Sequence, residues 1–247
     1  MVKLPKIIFV TGTDTEVGKT WLTCTLVRYL RSCGLCVKAI KPFCSGPRDD
    51  VMSLLQANRE YGSDSPDKLN PWYFREPLSP YACCLKEKKP FPVLSEVKDF
   101  ILSQSEETDV LLVEGAGGIA TPIGPGFLLG DIINEVAHQV VLTVPDKLGC
   151  LNHTVLSIKY LQKTFRDNEI FVCMSEIEPK ISKKSLNHKI ISDLLPSKTI
   201  GFLPFLTQIP DVDDFLEKKI KKPLAVFSEF GRLLVPSQKG DGPKETQ

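Results

Sequence analysis

The sequence predicts an α/β fold, a mostly parallel sheet with helices on both faces. Three observations carry this expectation. Apolar runs of strand length alternate with amphipathic helical stretches along most of the 247 residues. The first such run ends in a Gly-bounded polar loop that opens a helix with Lys19-Thr20 at its start. Loops rich in Gly, Lys and acidic residues follow several of the other strands. Strands alternating with helices imply a parallel sheet covered on both sides, and such sheets bind ligands beyond the carboxyl ends of their strands.

Taken in chain order, strands are predicted at 7–11, 36–40, 109–113, 139–144, 169–174 and 198–202. Each is a short apolar run, the pattern of a strand buried on both faces. Helices are predicted near 19–33, 49–58, 92–105, 128–138, 150–165 and 184–195, where apolar residues recur at helical spacing, as Leu22, Leu26, Tyr29 and Leu30 do in the first. Residues 59–91 are irregular and rich in Pro and charge, and are expected to cover the site as a loop-rich excursion. Two terminal helices are expected over 211–235, with Pro223 at a boundary. One domain over 1–235 is expected, followed by a polar tail over 236–247 that reads as disordered.

Composition excludes several classes. Apolar residues make up 42% and charged residues 25%, ordinary values for a water-soluble globular chain. A formal net charge of +1 supplies no field for nucleic acid or an acidic membrane surface. No apolar run approaches the roughly 20 residues of a membrane span. The N-terminus, MVKLPKIIFVTG, passes straight into the first strand, so a cytoplasmic location without a cleaved signal is expected. The eight cysteines sit mostly alone, and Cys33-Gly-Leu-Cys36 has neither a second pair nor a suitably spaced His to complete a zinc site. They read as structural thiols.

The chemistry begins at Phe9–Thr20, FVTGTDTEVGKT. Strand, Gly-bounded loop and helix carrying Lys-Thr form the phosphate-cradling P-loop, and the fold expectation sharpens to P-loop NTPase-like. Backbone N–H groups and the helix dipole favour an anion there. Lys19 adds a charge for the phosphates, and the Thr20 hydroxyl can ligate Mg²⁺. Gly12 and Gly18 enclose five residues where the common motif has four. Lys41, in Ile40-Lys-Pro-Phe-Cys-Ser-Gly46, leaves a strand at the same edge and can stabilise charge developing during phosphoryl transfer. Glu114, in Val113-Glu-Gly-Ala-Gly-Gly118, stands where such folds present a metal carboxylate, and the glycines permit close approach of backbone to a ligand. Asp49 and Asp50 are either first-turn helix acids or a further metal ligand. Lys147–His153 enters a helix whose first N–H groups could bind a carboxylate, or is a plain βα loop with Asn152 as cap.

GTDTEVGKT with its five-residue spacer, IKPFCSG, EPLSP, VEGAGG and KLGCLNH, in this order, resemble the dethiobiotin synthetases over roughly residues 7 to 205. The resemblance implies a homodimeric ligase of biotin synthesis that uses ATP, Mg²⁺ and CO₂ to convert 7,8-diaminononanoate to the cyclic urea. It implies that Gly12, Thr13, Asp14, Thr15, Glu16, Val17, Gly18, Lys19 and Thr20 hold the phosphates, with Glu114, Gly117 and Pro204 completing the nucleotide site. Thr20, Asp50 and Glu114 would ligate the metal, with Asp49 a rival to Asp50. Lys41, Lys19, Thr15 and Glu16 would act on the reacting groups. Thr15, Lys41 and Ser45 would line the diamine site, and Gly149, Cys150, Leu151 and Asn152 of the neighbouring subunit would receive the substrate carboxylate. No nucleic acid or membrane partner is implied. One departure matters: Met174-Ser175-Glu176 stands where the family tends to carry the Asn that reads the adenine edge, and Met lacks the paired donor and acceptor of an amide.

Competing readings are a related P-loop ligase with a glutaminase domain, for which the chain has no room, and a non-catalytic or switch-type P-loop nucleotide-binding protein. Partitioning ATPases of the latter class carry a second Lys early in the loop, where this chain has Thr13.

Overall fold

A computed structural model describes residues 5–58, 65–164, 169–178, 186–195, 200–205 and 208. Ten strands and eight helices appear in the order β1 (Lys6–Gly12), α1 (Lys19–Ser32), β2 (Val37–Ile40), β3 (Phe43–Ser45), α2 (Asp49–Asn58), α3 (Pro66–Leu69), β4 (Trp72–Phe74), α4 (Pro80–Glu87) and α5 (Leu94–Ser103), then β5 (Val110–Gly118), β6 (Pro122–Gly124), β7 (Phe127–Leu128), α6 (Leu129–Val136), β8 (Gln139–Pro145), α7 (Cys150–Thr164), β9 (Glu169–Ser175), α8 (Asn187–Leu194) and β10 (Ile200–Leu203). The two helices expected over 211–235 and the tail over 236–247 lie outside the described residues, as do parts of the expected segments 184–195 and 198–202.

The central sheet has six strands in the order β10-β9-β8-β1-β5-β2, all parallel. The chain moves one way from β1 to β2 and the opposite way from β2 through β5 to β10. Right-handed crossovers therefore place α1 on one face and α5 to α8 on the other. The contacts agree: α1 packs on α2, while α5, α6, α7 and α8 contact one another in sequence. Reversal of direction beside β1 creates the crevice in which such sheets bind ligands.

Burial explains why the strands read as continuous apolar runs. Ile7, Ile8, Phe9 and Val10 of β1 and Leu111, Leu112 and Val113 of β5 are shielded from solvent on both faces. Leu22, Leu26 and Leu30 bring one stripe of α1 onto the sheet, each such side chain contributing about 1.5–3 kcal/mol. Six of the eight cysteines are buried and none forms a disulfide, and burial pushes the Cys173 thiol up to about 12. No helix among the described residues is long and apolar enough to cross a membrane.

Two regions differ from expectation. VEGAGG continues β5 as strand to Gly118, with Gly12 opposite Gly118. A Cβ on Gly118 would lie 3.2 Å from the Thr13 carbonyl oxygen, so the close approach this glycine permits is to the chain's own phosphate loop. The described part of 59–91 is also more regular than its composition suggests. It contains α3, β4 and α4, and β4 pairs with β3 in a small parallel ribbon. Aromatic packing supplies what periodicity did not: Trp72 stacks on Phe43 at 5.1 Å and meets Phe100 edge-on at 5.6 Å.

β2 forms one edge of the sheet, and its free side is closed by a side chain. Buried Asn58 accepts from Ala39 N at 3.0 Å and donates to Ala39 O at 2.7 Å, imitating one residue of a neighbouring strand. Asn58→Ala strands both backbone groups in the interior and should cost about 2–4 kcal/mol, read as a lower urea midpoint at unchanged slope. A change under about 0.5 kcal/mol would show that water replaces the amide.

Candidate active site

The phosphate loop joins β1 to α1. Val17 is fully buried and fixes the loop to the core, whereas Asp14, Thr15 and Glu16 are exposed around it. Glu16 has φ 54°, a left-handed conformation uncommon for a non-Gly residue, and Gly18 follows at φ 88°. Backbone strain of this kind concentrates at ligand sites. Gly18 precedes α1 as its N-cap and so brings no capping side chain, and the first turn of the helix has no acid. Its leading N–H groups and positive dipole end thus meet no built-in anion, the arrangement expected of an anion site.

Lys19 lies within this loop, and its Nζ donates to Asp14 O at 2.8 Å. Burial and the neighbouring Lys41 ammonium lower its pKa to about 8. Thr20 donates from Oγ1 to Glu114 Oε1 at 2.8 Å. Lys41 donates from Nζ to the same oxygen at 2.6 Å and to Asp50 Oδ2 at 2.5 Å. One ammonium thus bridges a carboxylate from β5, the neighbour of the edge strand β2, and one from the first turn of α2. Burial alone would lower the Lys41 pKa, but the two carboxylates outweigh it and hold the ammonium well above the ordinary Lys range. Burial would raise Asp50, yet Lys41, aided by the Thr20 hydroxyl and Lys19, holds it below its usual 3.8. Asp49, the sequence rival, is exposed, and its carbonyl accepts from Ser53.

The oxygen donors suit Mg²⁺. Glu114 is completely buried, and its Oε2 has no hydrogen-bond partner. No group of three His, Cys, Asp or Glu side chains gathers at a metal-binding spacing among the described residues. An ion here would rest on Thr20, Asp50 and Glu114, with phosphate oxygens and water completing its shell. That is how Mg²⁺ is commonly held beside nucleotides.

Two cavities flank the loop. One, of about 560 Å³, runs from Lys19, Thr20 and Asp50 to Glu176, Pro204 and Phe205. The other, of about 630 Å³, lies between Thr13, Asp14 and Gly118 on one side and His153, Ser157 and Tyr160 of α7 on the other. Gly149, at φ 91°, and Cys150 to Asn152 begin α7 without lining either cavity. Ser45 and Gly117 also lie off both linings. Ser45 Oγ accepts from Cys83 Sγ at 3.7 Å, and Gly117 adopts φ 70°.

A family model described as an AAA domain matches residues 6–212. The ATP-dependent dethiobiotin synthetase BioD of Baumannia cicadellinicola subsp. Homalodisca coagulata is 33% identical over 215 residues, which cover 84% of this chain and 94% of that protein. The chain belongs to the dethiobiotin synthetase family. The family's ATP-dependent dethiobiotin synthetase BioD 1 of Escherichia coli (strain K12) is 30% identical with the same two coverages. The BioD of Nitrosopumilus maritimus (strain SCM1) is 36% identical over 208 residues, covering 81% of this chain and 90% of that protein. The synthetase chain also shares its fold with the MinC:MinD cell division protein complex of Aquifex aeolicus, at a TM-score of 0.59 and 18% identity, over 96% of this chain and 98% of that one. Signal recognition particle receptor FtsY from Elizabethkingia anophelis gives 0.51 at 16% identity, over 87% and 65%. These two likenesses show the P-loop NTPase fold alone.

Met174 and Ser175, which the resemblance puts where an Asn is expected, end β9. Met174 is fully buried in β9. Ser175 is buried as well, and its hydroxyl donates to Val17 O at 2.6 Å, so it anchors the phosphate loop. Its tie to the loop spans 158 residues of chain, and no local pattern announces it.

Lys41→Ala would leave Glu114 buried beside Thr20 alone and should cost about 3–5 kcal/mol in the ligand-free protein at pH 7. The acid limb should move as well. Because the native Asp50 value is depressed, the stability it contributes is complete above its usual 3.8 and lost as pH falls through the lower native value. Half of the Asp50 side chain is in water, which screens the effect. Without Lys41 the depression loses its largest source, and acid unfolding should begin at a higher pH, followed by circular dichroism.

Proposed function

We propose that this chain is an ATP-dependent dethiobiotin synthetase, carboxylating 7,8-diaminononanoate with CO₂ and closing the cyclic urea with release of ADP and phosphate. The observation that carries the reading is the convergence of Lys19, Thr20, Lys41, Asp50 and Glu114 at one sheet edge, in a chain whose relatives bear that activity in their names.

Chemically, a neutral substrate amine adds its lone pair to CO₂ and loses a proton, giving a carbamate. A carbamate oxygen attacks the γ-phosphorus of ATP, and ADP leaves. The second amine attacks the resulting acyl carbon and loses a proton, phosphate leaves with the bridging oxygen, and the ring is closed. Both nucleophiles belong to the substrate, so no activated Ser or Cys is needed. What the protein supplies is position and charge. Lys19 and the N–H groups at the start of α1 hold the triphosphate, Lys19 exchanging its bond to Asp14 for phosphate oxygens. Lys41 neutralises charge on the carbamate and the transferring group. Mg²⁺ held by Thr20, Asp50 and Glu114 would supply further neutralisation of the phosphates when bound.

The cavity beside α7 suits the diamine. Asp14 offers a carboxylate to amino groups, and Ile119 and Leu156 offer apolar surface to the aliphatic chain. In a homodimer, Gly149 to Asn152 of the neighbouring subunit would receive the substrate carboxylate. Thr15, Glu16 and Ser45 are assigned to the reacting end, and Gly117 to the nucleotide site, on family resemblance.

Purified protein given 7,8-diaminononanoate, bicarbonate, Mg²⁺ and ATP should form dethiobiotin, detected by mass spectrometry. Lys19→Ala should weaken nucleotide binding. Lys41→Ala should bind nucleotide nearly as the parent does and lose urea formation; equal activity would remove the role given to Lys41. Because Met174 is buried in β9 and the Ser175 hydroxyl, although Ser175 borders the cavity, is donated to Val17 O, neither side chain offers the paired donor and acceptor of an amide, and other nucleoside triphosphates should support turnover at rates comparable with ATP. A strong preference for ATP among matched nucleotides would contradict that.

A further inference from the structure

Lys41 has four rotatable side-chain bonds, and its Nζ reaches the Glu114–Asp50 pair only if its backbone is correctly placed. Its position in the chain does not ensure this, because it follows the last residue of an edge strand and precedes Pro42. The backbone is instead held by two consecutive residues from the irregular segment. Lys41 N donates to Leu69 O at 3.2 Å. Asn70 Nδ2 donates to Lys41 O at 3.1 Å and Pro42 O at 3.0 Å, with a longer contact of 3.4 Å to Trp72 O. All three partners are carbonyls, so the amide orientation is fixed by chemistry: only the nitrogen can face them.

Asn70 is 1% exposed, and its Oδ1 is buried without a hydrogen-bond partner. An unsatisfied buried acceptor is costly, so the amide is held here by what its nitrogen binds and not by its oxygen. The segment carrying Asn70 is tied to the acidic side of the site. Arg48, two residues before Asp50, donates to Asp67 Oδ1 at 2.9 Å and to Asn70 O at 3.4 Å, and lies over the Tyr73 ring at 4.5 Å. The same few residues therefore set the backbone of the cation and the approach to α2, which bears one of its carboxylates.

We infer that Asn70 is a positioning residue for the synthetase reaction: its side-chain amide clamps the Lys41–Pro42 backbone and so sets where the Lys41 ammonium stands. The inference rests on the role given to Lys41 above. The described stretch from α3 to β4 thereby ties down the backbone just beyond β2, at the residue that Asn58 does not reach.

The test is a double-mutant cycle. In the full-length protein, Asn70→Ala should lower kcat for dethiobiotin formation about 10- to 100-fold, the scale of a displacement near 1 Å at a reacting centre. The Kd for ATP, measured by calorimetry, should stay within about two-fold, since the phosphate loop is untouched. In the Lys41→Ala background the same change should have no further effect on residual turnover, followed by mass spectrometry over long incubations. Should Asn70→Ala fail to accumulate as folded protein, Asn70→Ser carries the same expectation. It removes most of the reach of the amide while leaving one donor. A folded variant with kcat within about two-fold of the parent, or an equal loss with and without Lys41, would overturn the positioning role. Inactivity of the parent protein, or full activity of Lys41→Ala, would instead overturn the reading on which it rests.

Discussion

One ammonium shared by two carboxylates organises this protein. Glu114 is fully buried, and a carboxylate placed there alone would carry a desolvation cost of several kcal/mol. Lys41, bonded to it at 2.6 Å, makes the burial tolerable. Asp50, bonded to Lys41 at 2.5 Å, brings α2 against the same point. Thr20 joins from α1 through the same Glu114 oxygen. Four elements, β5, α2, α1 and the end of β2, are registered on a few polar atoms at the carboxyl edge of the sheet. A parallel sheet with both faces covered leaves little other room for charge.

The arrangement suits a reaction whose difficulty is assembly and charge. Cations that await a carbamate and a triphosphate would repel one another if held together unpaired, and the depressed pKa of Lys19 is partly the mark of Lys41 nearby. Pairing Lys41 with Asp50 and Glu114 while Lys19 turns to the carbonyl of Asp14 keeps both in place within a folded chain. The strained Glu16 and the uncapped start of α1 belong to the same scheme. They leave N–H groups directed toward an anion, at a local cost borne by buried Val17 and by the Ser175 hydroxyl behind it.

Much of this was legible in the chain itself. The bounds of α2 agree with its predicted 49–58, because Asp49 and Asp50 mark its first turn and Val51, Leu54 and Ala57 its buried stripe. The central strands were legible for the same reason that they are buried: runs such as Ile7–Val10 have no polar interruption. Local pattern failed where pairing is set by distant partners. β5 extends through three glycines because its neighbour β1 and the phosphate loop approach closely, with Gly12 opposite Gly118. β3 and β4 are each three residues long and depend on Trp72 stacking against Phe43. Asn58, Asn70 and Ser175 carry no motif at all. Their importance lies in which carbonyl each side chain meets across 19, 29 and 158 positions of sequence.

In the reaction proposed above, the γ-phosphoryl group passes to an oxygen of a substrate carbamate beside Lys41. The most direct measurement follows oxygen through one turnover, with ¹⁸O-labelled bicarbonate and the diamine, at times short enough to precede exchange with water. Each phosphate released should carry one labelled oxygen, in step with each dethiobiotin formed. Phosphate that takes its new oxygen from water, or that appears without dethiobiotin, would contradict that transfer.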